Sequence, residues 1–212
     1  MTTRTPTCRA ALVAATGLAS LVLAACGGGG GAGGVRAGHG SSANPSASTA
    51  TAHNAQDVAF AQGMIPHHQQ ALEMARLADG RASSARVKDL AARIEKAQDP
   101  EIRTMTGWLK TWGAQVPMAG TDRSGHAGMS GMSDMMSDDD MAALKKAGGK
   151  DFDTMFLSLM VDHHQGAVAM ATTEKRKGEY GPAKGMAGGI VSAQNAEIKE
   201  MKQLLGEGGS KG

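Results

Sequence analysis

Two adjacent histidine pairs, His67-His68 and His163-His164, are the side chains in this sequence best equipped to do chemistry, and methionines recur at fixed distances from both. Met64 stands four residues before His68 and Met160 four before His164, while Met74 and Met170 each follow six residues after. Imidazole nitrogen and thioether sulfur are the neutral donors that suit Cu(I), whereas zinc more often takes Cys, His and carboxylate. On a helix Met64 lies one turn and Met74 two turns from His67, so both sulfurs can face the ring. The plainer reading is that these methionines fill gaps in a core, which a flexible thioether does well.

Behind each pair comes a second polar set: Gln98, Glu101 and Met105, then Gln194, Glu197 and Met201. The two glutamates admit three readings. They orient His68 and His164 as outer partners of a metal site, they bind a harder ion themselves, or they form buried acid–imidazole pairs that fix helix register. The first is favoured.

All of these residues belong to a repeat. Met64 to Ala75 returns as Met160 to Ala171 at an offset of 96 residues, and the same ungapped offset carries Ile94, Gln98, Glu101, Ile102, Met105 and Leu109 onto Ile190, Gln194, Glu197, Ile198, Met201 and Leu205. A constant offset over two separated blocks marks an internal duplication.

The elements that must position these side chains read as helices. The first is expected from about Asn54 or Gln56 to Asp79, capped by Asn54 with Asp57 at N3 and stopped by Gly80. Helical spacing puts Asp57, Ala61, Met64, His68, Ala71, Leu72 and Ala75 near the middle of one apolar face, with Phe60, His67 and Met74 along its flank. His68 is therefore expected to point into the core and His67 towards a seam with the next helix, with a kink at Pro66.

A second helix follows Ser83 or Ser84 and reaches about Trp112, with another kink at Pro100; its apolar stripe includes Gln98 and Glu101. A carboxylate on such a face must find a partner. Ser137 with Asp138, Asp139 and Asp140 opens a short helix to about Ala147. The second copy of the hairpin runs from about Asp151 to Lys177 and from Pro182 to Leu205. No segment alternates convincingly at period two. The fold class is thus all-α: a four-helix bundle of two duplicated hairpins, plus the short connecting helix.

The ends and the middle of the chain have other compositions. Residues 1–26 read as an export signal, with Arg4, Arg9 and a short apolar run ending in Leu23-Ala24-Ala25-Cys26, which resembles a bacterial lipobox. Cleavage there would remove Cys8, commit Cys26 to lipidation and leave no free thiol, so soft-metal chemistry must come from Met and His. It would also balance basic and acidic residues, which argues against nucleic acid as a partner. Residues 27–53 are a Gly/Ser/Ala-rich tether in which His39 and His53 read as polar linker residues, and 207–212 a flexible tail. The chain would then divide into repeat one at 54–113, a Met-rich linker at 114–150 and repeat two at 151–206. In that linker His126, Met129, Met132, Met135 and Met136 resemble the Met-x-x-Met segments of exported copper-handling proteins.

The motifs Phe60-x-x-x-Met64-Ile65-x-His67-His68-Gln69-x-Ala71-x-x-Met74-Ala75 and Gln98-x-x-Glu101-Ile102-x-x-Met105-x-x-Trp108-Leu109, with the second copy around Met160, His163, His164 and Met170, resemble the family called domain of unknown function 305. The resemblance covers about residues 54–206. It implies a ferritin-like helical fold in exported bacterial proteins, some of them tied to copper binding. Pro66, Pro100 and Leu204 in place of a second Trp depart from strict duplication.

The leading reading is an extracytoplasmic, lipid-anchored protein on the cell membrane that buffers, sequesters or delivers copper, Cu(I) before Cu(II). Its expected ligands are Met64, His67, His68, Met74, Met160, His163, His164 and Met170. The His126 to Met136 loop is an auxiliary site, and Gln98, Glu101, Met105, Gln194, Glu197 and Met201 stand behind the ligands. The partners are the membrane, through Cys26, and room remains for a copper-delivery protein. No catalytic residue is assigned. Two alternatives stay open: a di-metal carboxylate oxidase using iron, which is short of carboxylates because no Glu stands three before any of these histidines, and a structural or partner-binding lipoprotein. A haem bundle ranks lower.

Overall fold

The computed structural model describes residues 52–118 and 135–209. The expected export signal with Cys26, the expected tether up to residue 51, His126, Met129, Met132 and the last three residues lie outside the described residues. Five helices follow in order: α1 Ala55–Arg81, α2 Ala85–Thr111, α3 Asp138–Lys146, α4 Gly149–Lys177 and α5 Gly181–Gly209. There is no strand among the described residues, only an isolated bridge between Ala82 and Gly149. None of the described helices is long and apolar enough to cross a membrane.

Local chemistry sets most helix ends. Asn54 accepts from the backbone N–H of Gln56 and Asp57 while Asp57 accepts from Asn54 N–H at 2.7 Å, a capping box. Ser84 caps α2, and Ser137 with Asp140 forms a second capping box on α3. The expected stop at Gly80 does not occur: α1 continues to Arg81 and ends where Ala82 turns extended, with Arg81 Nη1 donating to Ala147 O at 3.2 Å. Gly80 needs no left-handed backbone there, so nothing in it breaks the helix. Gly113, with φ of 66°, does supply such a turn after α2, where Ala114 N–H reaches Leu109 O. Both α1 and α2 run continuously through Pro66 and Pro100.

α1 with α2 and α4 with α5 form the two hairpins, and α1 packs across α4. The core divides into two apolar halves. One gathers Met74, Ala78, Leu90, Ile94, Phe152, Phe156, Met160 and Met201; the other gathers Phe60, Met64, Ile65, Met105, Leu109, Ala167, Ala187 and Ile190. On every long helix the residues between these halves are polar: His67 and His68, Gln98 and Glu101, His163 and His164, Gln194 and Glu197. A polar layer thus crosses the middle of the bundle.

The hairpins clasp each other reciprocally. Asp57 on α1 accepts from the backbone N–H of Glu179 and Tyr180 at 3.1 and 2.9 Å, in the turn joining α4 to α5. Its counterpart 96 residues on, Asp153 on α4, accepts from Ser83 N–H at 3.1 Å and Ser84 N–H at 3.0 Å, in the turn joining α1 to α2. Each aspartate therefore satisfies the exposed donors of the opposite repeat's turn. Replacing Asp153 by Ala strands those N–H groups and should cost about 2 kcal/mol, read as a lowered urea midpoint with unchanged helical signal. An unchanged midpoint would remove the clasp from the account.

The symmetry fails at Glu174, which stands where the first copy has Ala78. Glu174 is fully buried, lacks a well-formed hydrogen bond to either oxygen and faces the Asp57 carboxylate. Burial first, then Asp57, push its carboxyl up to about 8, with Gln56 and Lys184 pulling weakly the other way. Burial opposes ionisation of Asp57 too, but the neighbouring Glu174 carboxyl and hydrogen bonds from the Asn54, Tyr180 and Glu179 backbone hold it below its usual range. Glu174 is thus protonated when folded and ionised when unfolded at intermediate pH, so its contribution is present below about 4.5 and lost as pH rises towards 8. Melting temperature should fall between pH 6.5 and 8.5 in the native chain and stay level in Glu174→Gln. Parallel curves for the two proteins would refute the assignment.

Candidate metal centre

The histidines are brought together where α1 crosses α4. His67 and His163 face each other with ring centroids 3.8 Å apart and planes inclined by 39°. His163 and His164 centroids are 6.4 Å apart. All four rings are essentially excluded from solvent. The two pairs therefore meet in one layer of the bundle.

The members of each pair have separate jobs. His68 Nε2 lies 2.8 Å from Glu101 Oε2 on α2, and His164 Nε2 lies 2.8 Å from Glu197 Oε2 on α5. A carboxylate on Nε2 favours the tautomer that carries its proton there, which leaves Nδ1 as the lone-pair nitrogen. Nδ1 of His68 and of His164 is buried and has no hydrogen-bond partner. The glutamates are less enclosed than their helix faces suggested: 27% of the Glu101 side chain and 14% of Glu197 remain exposed. Each therefore stands at the bundle's edge while holding a ring inside it.

His67 and His163 have no such partner; both ring nitrogens of each are buried and unpaired. Burial, with His68 and His164 as further like charges, lowers His67 to about 3. Burial and the other three imidazoles push His163 well down. Both rings are therefore neutral at physiological pH and keep a lone pair free, the form in which imidazole binds metals. This assignment corrects the helix-face expectation. His67 does not face α2 but meets its own repeat partner on α4, and it is His68 that reaches α2.

The thioethers flank this layer symmetrically. Met64, Met105 and Met170 belong to one half-core, and Met160, Met201 and Met74 to the other. The repeat offset maps the first triad onto the second residue by residue. Met170 Sδ lies over Gly63, where a Cβ would meet it at 3.6 Å. Met74, expected on a flank, is fully buried. The amide oxygens of Gln98 and Gln194 are buried in the same polar layer without partners. Among the described residues no three His, Cys, Asp or Glu side chains converge into a ready cage for one ion. The donor set is instead imidazole with thioether, unsuited to a hard cation and suited to a soft one.

Of the linker residues within the described range, Met136 packs partly buried against the first half-core, and its backbone exchanges two hydrogen bonds with the Gln70 side chain at 2.8 and 2.9 Å. Gln70 stands one turn from His67, so the end of the Met-rich linker is fastened beside the histidine layer. Sequence reading missed Gln70 because its counterpart is Gly166.

The model of a family described as a domain of unknown function, DUF305, matches residues 57–205, and the chain belongs to that family. A protein from Streptomyces coelicolor described as secreted and of this family is 34% identical, with TM-score 0.64 over 73% of this chain and 94% of that one. A fragment from Deinococcus radiodurans is 33% identical, with TM-score 0.63 over 73% and 97%. CopM in its Cu(I)-bound form is 33% identical, with TM-score 0.58 over 71% and 96%, and CopM structures with Cu(II) and with silver are similar too. No protein of curated function matches the chain.

Orphaned buried nitrogens cost about 1–3 kcal/mol apiece when no ligand satisfies them. Their folded-state pKa values lie below the unfolded 6.5, so their stability contribution is complete above that value and is lost as pH falls towards 3. The His67→Leu/His163→Leu double variant should therefore be at least as stable as the metal-free native chain at pH 7, and more clearly so at pH 5, by urea denaturation. A variant destabilised equally at both values would mean that the rings are already well satisfied.

Proposed function

We propose that this protein binds copper as Cu(I) in its central layer, outside the cytoplasm, and buffers or hands on the ion. The observation that carries this reading is the facing pair His67 and His163, neutral, buried and unpaired, lying between two symmetric methionine triads. Cu(I) accepts low coordination numbers and neutral N and S donors, so no carboxylate cage is required. His67 and His163 are the central ligands, with His68 Nδ1 and His164 Nδ1 beside them and Met64, Met74, Met160 and Met170 supplying sulfur. Glu101 and Glu197 act through the rings they hold, and Gln98, Gln194, Met105 and Met201 line the layer. The Met-rich linker, His126 to Met136, collects the ion before it reaches the central layer.

The copper- and silver-bound forms of CopM support the choice of ion, and the secreted Streptomyces relative supports the location. Attachment of the chain through Cys26 is part of the same proposal and rests on the lipobox-like Leu23-Ala24-Ala25-Cys26. The reading involves no catalytic step: Glu101 and Glu197 each spend an oxygen on an imidazole, leaving little for a di-metal oxidase.

Competition against a chromophoric Cu(I) chelator tests the site. His67→Leu/His163→Leu should lower affinity more than about 100-fold, and Glu101→Gln/Glu197→Gln by about 10–100-fold through lost ring orientation. Equal competition by native and His67→Leu/His163→Leu proteins would remove the central site.

A further inference from the structure

The duplication supplies an internal control, because the two ends of the bundle are related by the repeat and need the same packing. They are nevertheless decorated differently. At the end where α1 and α5 begin and α2 and α4 finish, Trp108, Trp112 and Tyr180 form a cluster, with Tyr180 edge-on to both indoles at 5.5 and 5.2 Å. His53 stacks on Trp112 at 4.5 Å, which makes it part of the folded end rather than of a linker. The three aromatic residues are half-buried, unlike the fully buried core. Their repeat counterparts at the far end are Leu204, Gly208 and Ser84. The aromatics described at that end, Phe152 and Phe156, are fully buried in the core, so it shows no Trp or Tyr among the described residues.

Charge follows the same division. Lys175, Arg176 and Lys177 end α4 and Lys110 ends α2, all exposed, while the acids of this end are Asp57 and Glu174, both buried, and the exposed Glu179. The counterparts of the three α4 residues are Asp79, Gly80 and Arg81, with no net charge. Trp and Tyr with Lys and Arg around them is the composition that settles at a bilayer interface: the rings sit at headgroup depth and the cations meet anionic lipid.

The chain enters the bundle at this same end. Ala52 stands 26 residues after Cys26 in the sequence.

We infer that this aromatic and basic end is a docking face for an anionic bilayer surface, which holds the bundle end-on to the membrane with the far end pointing away. The inference rests on the side chains of the face and stands apart from acylation of Cys26. Docking sets the orientation of the protein; the copper layer, in the middle of the bundle, does not take part.

Both tryptophans of the chain lie in this face, so intrinsic fluorescence reports on it directly. The exported, processed protein is mixed with vesicles of phosphatidylcholine, or of phosphatidylcholine with phosphatidylglycerol, each carrying lipids brominated near the headgroup. Flotation with neutral vesicles reads the acyl anchor. Bromine quenching reads the docking face. We expect quenching at least threefold stronger on the anionic vesicles, reversed by high salt and by Lys175→Gln/Arg176→Gln/Lys177→Gln, whose melting curve serves as a folding control. Flotation without quenching overturns the docking face and leaves the anchor standing. Salt-sensitive flotation on anionic vesicles alone overturns the anchor and leaves the face. Equal quenching on both vesicle types, or no binding to either, overturns the docking face.

Discussion

Burying four imidazoles in one cross-section of a helical bundle is the constraint to which the rest of this molecule answers. Two of the rings are tied to carboxylates at the edge of the layer, and two are left facing each other with no partner. Such groups are expensive in an apolar interior, and the two half-cores of Met, Leu, Ile, Phe and Ala on either side must outweigh them. A ligand that satisfies the free nitrogens returns that cost as binding free energy, so the proposed metal uptake would be linked to fold stability. The site is strained in the thermodynamic sense only: its backbone is regular helix throughout, and the penalty resides in missing hydrogen bonds.

Duplication explains how a small chain builds this arrangement. One hairpin supplies half a layer, and its copy supplies the rest in antiparallel register, so that His67 meets His163 and each methionine triad finds its image across the layer. The reciprocal Asp57 and Asp153 clasps fasten the copies together at both ends. Departures from symmetry are then informative. Glu174 in place of Ala makes one clasp sensitive to pH, and Trp108, Trp112 and Tyr180 make one end unlike the other.

What could be read in the sequence was local or repeated. Asn54, Ser84 and Ser137 announced their helices, the apolar stripes named most of the core, and a constant offset revealed the pairing of halves. The orientation of His67 against His68 was not legible, because a helix face is known from periodicity only to within tens of degrees and the contact of α1 with α4 joins the two copies rather than neighbours in sequence. Glu174 left no signal, having no counterpart in the first copy and a partner on another helix. The far end of α1 was misjudged at Gly80 because a glycine stops a helix only where the backbone turns left-handed, and here the turn is made by Ala82.

The central claim is that a soft ion sits between His67 and His163 with thioether beside it. X-ray absorption at the copper edge of the Cu(I)-loaded protein tests this most directly, since imidazole and thioether scatter at distinct distances. The account expects both shells in the native protein and a clearly weakened imidazole shell in His67→Leu/His163→Leu. A spectrum of sulfur alone, identical in native and variant, would place the copper in the methionine-rich linker and contradict it.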